Sequence, residues 1–136
     1  VRWLAEKGRL RGRVLDFGCG RGGDAHAFQT EAWDPHWRPF PEPAGPYDTI
    51  CCVYVLNVVS EETQAAILTE LGELLADDGT VYVAVRRDLP KEGQQGRGVC
   101  QRYVVLDAPV VHKTKGFAIY GVVKSMALES AAPNRS

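Results

Sequence analysis

With 136 residues, a net charge of −1, 45% hydrophobic and 24% charged residues, the chain has the size and composition of one globular domain, short for an α/β enzyme. No apolar run nears the ~20 residues that span a bilayer and no charged-then-apolar leader opens the sequence, so a cytoplasmic protein without membrane contact is expected. Cys19, Cys51, Cys52 and Cys100 have neither C-x-x-C spacing nor a histidine at ligand distance and read as reduced, buried thiols, with no metal site expected. Val1 opens the chain and Met126 is its one methionine, which fits an alternative start codon or a fragment.

Residues 1–10 carry Trp3, Leu4 and Leu10 among charges, an amphipathic lead-in helix broken at Gly8. A short apolar run over 13–17 predicts the first strand. It contains Asp16 and opens into Gly18-Cys19-Gly20-Arg21-Gly22-Gly23, four glycines in six residues, the pattern of strand, tight turn and helix start. Glycine there admits positive φ and close approach of a ligand to the main chain. Gly18, Gly20 and Gly23 satisfy the dinucleotide pattern G-x-G-x-x-G, whereas Asp16, Gly18, Gly20 and Gly22 satisfy D-x-G-x-G-x-G. The second pattern resembles the first motif of the class I S-adenosylmethionine-dependent methyltransferases. A pyrophosphate is held by backbone N–H groups at a helix N-terminus and is disfavoured by a nearby anion. S-adenosyl-L-methionine carries a sulfonium and an ammonium and no phosphate, so Asp16 favours it. The resemblance implies that Asp16, Gly18, Cys19 and Gly20 hold this cofactor.

A short helix is expected over 24–29 and a second strand over 31–34. Family members place an acidic residue at the end of that strand, on the ribose hydroxyls of the cofactor, and Asp34 stands at the matching place, with a compressed spacing from Gly18. Residues 35–46 hold five prolines, which exclude helix interior and central strand. The family fold has a helix and a third strand in this interval. The expected architecture is therefore a trimmed Rossmann-like methyltransferase sheet, mostly parallel with an antiparallel edge strand, lacking the third strand and its preceding helix.

Tyr47-Asp48 opens a continuous apolar run over 49–59, rich in β-branched residues, as in a strand buried on both faces. It resembles the family's fourth strand, and Asn57 near its end is a candidate cofactor contact or a loop cap. Ser60 with Glu61 and Glu62 is an N-cap signal, and Ile67, Leu68, Leu71, Leu74 and Leu75 form one helical stripe. Asp77-Asp78-Gly79 is expected to stop that helix, and Val81, Val83 and Val85 alternate into a strand over 80–86. Residues 88–100 predict a loop of the kind that forms acceptor lids. Two strands are expected over 101–107 and 116–123, joined by 108–115, and a polar tail follows, giving a methyltransferase domain over 1–124 and a tail over 125–136.

The segment 22–85 holds one basic residue, Arg38, against eleven acidic ones, while the flanks hold fifteen basic and six acidic. The basic residues gather in the N-terminal run Arg2, Lys7, Arg9, Arg11, Arg13 and Arg21, and again at Arg86, Arg87, Lys91, Arg97 and Arg102. They suit either an anionic acceptor such as nucleic acid or an ordinary solvated surface. Asp-Pro-His-Trp at 34–37 resembles the base-holding motif of amino-directed DNA methyltransferases but stands after the second strand rather than the fourth. Gly-x-Gly-x-Gly with Trp-Asp-Pro and Tyr-Val-Leu-Asn-Val resembles small methyltransferases encoded beside DNA phosphorothioation genes, over residues 13–87. Displacement at a sulfonium methyl needs chiefly positioning, with a base only for a protonated acceptor. His36 and His112 are candidate bases, Arg86 and Arg87 candidate clamps for an anionic acceptor, and Tyr54 and Trp37 candidate stacking partners for adenine. The expected function is S-adenosylmethionine-dependent methyl transfer to an unidentified acceptor. The alternatives are a catalytically silent cofactor-binding subunit and a nicotinamide-dependent oxidoreductase.

Overall fold

The run before the glycines folds as β1 (Val14–Phe17), which pairs in parallel with β2 (Glu31–Trp33) on one side and β3 (Tyr47–Val53) on the other. This is a computed structural model, and it describes residues 1–19, 28–88, 94–96, 99–101 and 103–124. Gly20, Gly22, Gly23 and most of the short helix expected over 24–29 lie outside the described residues. β4 (Leu75–Arg86) continues the parallel set beside β3, and β8 (Phe117–Val123) pairs antiparallel with β4 and with β7 (Val110–Lys113). The six strands run in the order β2-β1-β3-β4-β8-β7, and β5 (Gln94–Gly96) and β6 (Val99–Gln101) form a separate two-stranded ribbon. The parallel strands bring their carboxyl ends, at Phe17, Trp33, Val53 and Arg86, to one side of the sheet.

Alternation along the strands assigns the two faces. Leu15, Ile50, Val81 and Val122 share a register row, as do Phe17, Cys52, Val83 and Tyr120. Both rows belong to the main core, which also takes in Leu68 and Leu71 of α2 (Glu61–Leu74). On the opposite face Cys51, Tyr82, Ala84 and Ile119 are covered by Leu4 of α1 (Arg2–Glu6), with Trp3 and Leu10 at the margin. The N-cap forms as expected, the Ser60 hydroxyl accepting from the Thr63 N–H at 3.2 Å.

Three boundaries differ from the sequence reading. The run over 49–59 is strand only to Val53, because Tyr54 turns left-handed with φ +60° and Leu56–Val58 close a 3-10 turn, in which Leu56 and Asn57 are buried and Val58 is exposed. Asp77-Asp78-Gly79 does not separate helix from strand, since the helix passes directly into β4 at Leu75. The acid-Gly turn is instead absorbed as an irregularity between the pairs Tyr47–Leu75 and Thr49–Thr80. The penultimate strand of the main sheet is Val110–Lys113, within the expected connection, while Val104 and Leu106 bury side chains in the core outside any named strand.

Among the described residues no third family strand intervenes between β2 and β3. The proline segment crosses that gap along a traceable path: the Trp33 indole N–H donates to the Pro39 carbonyl at 3.2 Å, residues 41–44 line a depression of about 420 Å³ with Glu31 and Ala32, and Gly45 packs on the Leu74 carbonyl. At the amino ends of the strands, the Arg13 guanidinium forks onto Glu31 at 2.6 and 2.9 Å, and the Tyr47 hydroxyl donates to Glu31 at 3.1 Å.

Candidate active site

The carboxyl end of β1 is fastened to that of β2 through one atom. The Trp33 carbonyl accepts from the N–H groups of Gly18 at 2.7 Å and Cys19 at 3.0 Å. Gly18 adopts φ +75°, and a Cβ there would fall inside the contact distance of Val55 Cγ2, so only glycine lets the chain pass between β2 and the segment after β3. Asp16 is buried at 5% exposure, in the register row of Ala32 and Cys51.

Asp34 follows β2 directly. Its Oδ1 accepts from the N–H groups of His36 at 2.9 Å and Trp37 at 3.0 Å, while its backbone exchanges a pair of 3.0 Å bonds with Arg38. Residues 34–38 are thus a closed turn with the carboxylate in a set orientation, an Asx-type arrangement. Cys19 senses the whole group: burial raises its thiol pKa, the negative charges of Asp16 and then Asp34 raise it further, and Arg38 partly offsets them. The structure therefore brings Asp16, Gly18, Cys19 and Asp34 together at the strand ends, where open α/β sheets bind ligands. Two carboxylates beside a positive-φ glycine fit a cationic donor bearing a ribose diol. The chemistry of the donor set suits S-adenosylmethionine, and it opposes a pyrophosphate.

The remaining candidates fall elsewhere or are already engaged. Asn57 is wholly buried, and its Oδ1 accepts from the Arg86 backbone N–H at 2.8 Å, tying the 3-10 turn to the end of β4. The Arg86 guanidinium forks onto Asp88 through two 2.9 Å bonds, which raises the arginine and holds the Asp88 carboxyl below its usual range. Arg87 donates to the Val104 carbonyl and the Tyr120 hydroxyl and lies over the Tyr103 ring at 4.8 Å. Tyr54 is 42% exposed beyond β3. His36 is exposed on the turn, its ring edge-on to Trp37 at 5.0 Å. His112 stacks on Trp3 at 4.2 Å, on the edge strand β7 at the other side of the sheet from β1 and β2.

Sequence reasoning missed Gln64, whose amide donates to the Leu56 and Val59 carbonyls at 2.9 and 3.1 Å and fixes the turn after Tyr54. The signal was its place four residues before Leu68 on the buried stripe, where a polar side chain needs a specific partner.

Comparison with known proteins agrees with this geometry. A family model described as a methyltransferase domain matches residues 1–107. The fold is similar to magnesium protoporphyrin IX methyltransferase from Synechocystis PCC 6803 with bound SAM, at 18% identity and TM-score 0.52 over 88% of this chain and 74% of that one. It is also similar to a SAM-dependent methyltransferase from Bacteroides fragilis in complex with S-adenosyl-L-homocysteine, at 16% identity and TM-score 0.55 over 88% and 75%. A third, the DhpI–SAH complex, gives 16% identity and TM-score 0.62 over 88% and 80%. No curated protein sequence matches the chain. The chain belongs to the methyltransferase domain family, within the class I S-adenosylmethionine-dependent superfamily. It is thus an S-adenosylmethionine-dependent methyltransferase, and among the described residues no helix is long and apolar enough to cross a membrane.

Proposed function

We propose that residues 1–124 form one catalytic domain in which Asp16, Gly18, Cys19 and Asp34 hold S-adenosylmethionine across the ends of β1 and β2, with the methyl acceptor docking over the ends of β3 and β4. The observation that carries this is the shared Trp33 carbonyl, which joins the Gly18–Cys19 backbone to the strand leading into Asp34, with the charges of both Asp16 and Asp34 felt at the Cys19 thiol. The cofactor, when bound, supplies a methyl group on a positively charged sulfur. Asp16 contributes a negative potential that favours such a cation in a low-dielectric setting. Asp34, oriented by the two amides it accepts from, presents a fixed acceptor for hydroxyl groups. Gly18 lets the backbone approach closely. Asn57 and Gln64 act as positioning residues, locking the turn that shapes the acceptor side against β4. His36 is the candidate to take a proton from an O–H or N–H acceptor.

Calorimetric titration with S-adenosylhomocysteine and with NAD tests this reading. The wild-type protein should bind the first and not the second. Asp34→Asn should weaken S-adenosylhomocysteine about tenfold or more, the loss expected when one hydrogen bond to a charged group is removed, and Asp16→Asn should weaken S-adenosylmethionine, whose sulfonium its charge favours, more than S-adenosylhomocysteine, which has none. Binding of NAD alone, or S-adenosylhomocysteine affinity indifferent to both substitutions, overturns it.

A further inference from the structure

The depression beneath the proline segment, about 420 Å³, falls in the size range of small-molecule sites. It opens at the amino ends of β1 and β2, on the far side of these strands from Gly18 and Asp34. β1 and β2 contribute Leu15 and Ala32, the proline segment Pro41, Pro43 and Ala44, and β3 the Tyr47 ring, so the lining is mostly carbon. The family's helix and third strand would fill this interval; here an extended segment crosses it and leaves the space open.

The charged groups on the lining choose the occupant. Arg13 and Glu31 cancel, since the guanidinium forks onto the carboxylate at 2.6 and 2.9 Å and the Tyr47 hydroxyl donates to the same carboxylate at 3.1 Å. The Arg13 guanidinium also lies over the Tyr47 ring at 4.2 Å, which commits it further to the wall. Glu42 is the third charged residue of the lining, and among the described residues it meets no cation. The site therefore carries a net negative charge at one point of an apolar surface. An anion is repelled there, a neutral molecule gains only apolar contact, and a cation gains both. Glu42 is exposed, so the preference is a few-fold one and weakens with salt.

We propose that this depression is a second binding site, separate from the cofactor site, for a compact organic cation: an ammonium or amidinium on an apolar body, with the body against Pro41, Pro43 and Tyr47 and the charge on Glu42. The assignment does not depend on the cofactor reading. Because the two sites stand at opposite ends of β1 and β2, both can be filled at once.

Three probes that share one apolar body test this on the full chain near neutral pH: 4-tert-butylbenzylamine, 4-tert-butylbenzyl alcohol and 4-tert-butylbenzoate, with a positive, a neutral and a negative head. Titrations followed by the methyl signals of Leu15, Ala32 and Ala44 should show the amine binding about fivefold more tightly than the alcohol, and the benzoate more weakly than either. Saturating S-adenosylhomocysteine should change the affinity for the amine less than about twofold. Glu42→Gln, at an exposed position, should bring the amine to the affinity of the alcohol and leave the alcohol within about twofold, with the melting temperature unchanged. Ala44→Leu, which adds volume to the wall, should weaken all three probes about fivefold or more. The proposal is overturned by equal or tighter binding of the alcohol or benzoate, by binding of none of the three, by a preference for the amine that survives Glu42→Gln, or by competition with S-adenosylhomocysteine. Methyl signals that shift with protein concentration before any probe is added would mean that a second copy of the chain fills the depression, which also overturns it.

Discussion

Gly18 and Gly8 show how one residue type serves different ends. Both have positive φ, but a Cβ on Gly8 would meet nothing within 4 Å, whereas on Gly18 it would collide with Val55. Gly8→Ala should cost about 1 kcal/mol for left-handed backbone alone, and Gly18→Ala about 2–4 kcal/mol once the overpacking is added, as read by urea denaturation. Of this contrast the sequence shows only part. The D-x-G-x-G-x-G spacing marks Gly18, yet nothing in it identifies Val55, which arrives from 37 residues away through the end of β3. Asp34 was legible as the acid ending a strand. Its turn with His36 and Trp37 was not, because a carboxylate before proline reads equally well as an ordinary loop cap. Burial pushes the Cys52 thiol up to about 12, helped by the charge of Asp16. Cys52 should resist alkylation in the native protein near neutral pH and react only on unfolding, which peptide mapping after a timed iodoacetamide pulse would show.

At the scale of elements, α2 illustrates the division between local signal and packing. Its cap replaces one orphan N–H partner, so Ser60→Ala should cost about 1 kcal/mol. Leu71, wholly buried against the sheet, should cost about 2–5 kcal/mol as alanine, both measurable by denaturant titration. Cap and stripe were each readable in sequence, because both depend on residues within a few turns of one another. β7 was not. Val110-Val111-His112-Lys113 is a half-exposed edge strand with weak alternation, whereas Val104 and Leu106 look more strand-like and instead fill the core without joining a named strand. Hydrophobicity reports burial, and pairing partners decide which buried segment becomes a strand.

Over the whole molecule, the amino ends of β1, β2 and β3 are joined by Arg13, Glu31 and Tyr47, opposite the end that carries Asp16 and Asp34. The Arg13 fork, with help from the Tyr47 hydroxyl and against a smaller effect of burial, holds the Glu31 carboxyl below its ordinary value. A carboxyl with a depressed folded pKa stabilises fully above its unfolded value and loses that contribution as pH falls through the folded one. The melting temperature should therefore drop between about pH 5 and about pH 3, and Glu31→Gln should show a shallower drop over the same window. A profile unchanged by that substitution would remove the pair from the stability of this end. The proline segment that replaces a strand has a further consequence at this scale. β2 is the last strand on its side, and an outermost strand with open backbone groups is a template for another chain's strand. Residues 39–46 run past it carrying four prolines, Pro39, Pro41, Pro43 and Pro46, none of which can donate a ladder hydrogen bond. The strap thus shields the margin while being unable to extend the sheet, and shortening it to a glycine-serine link should increase association through β2, as read by light scattering.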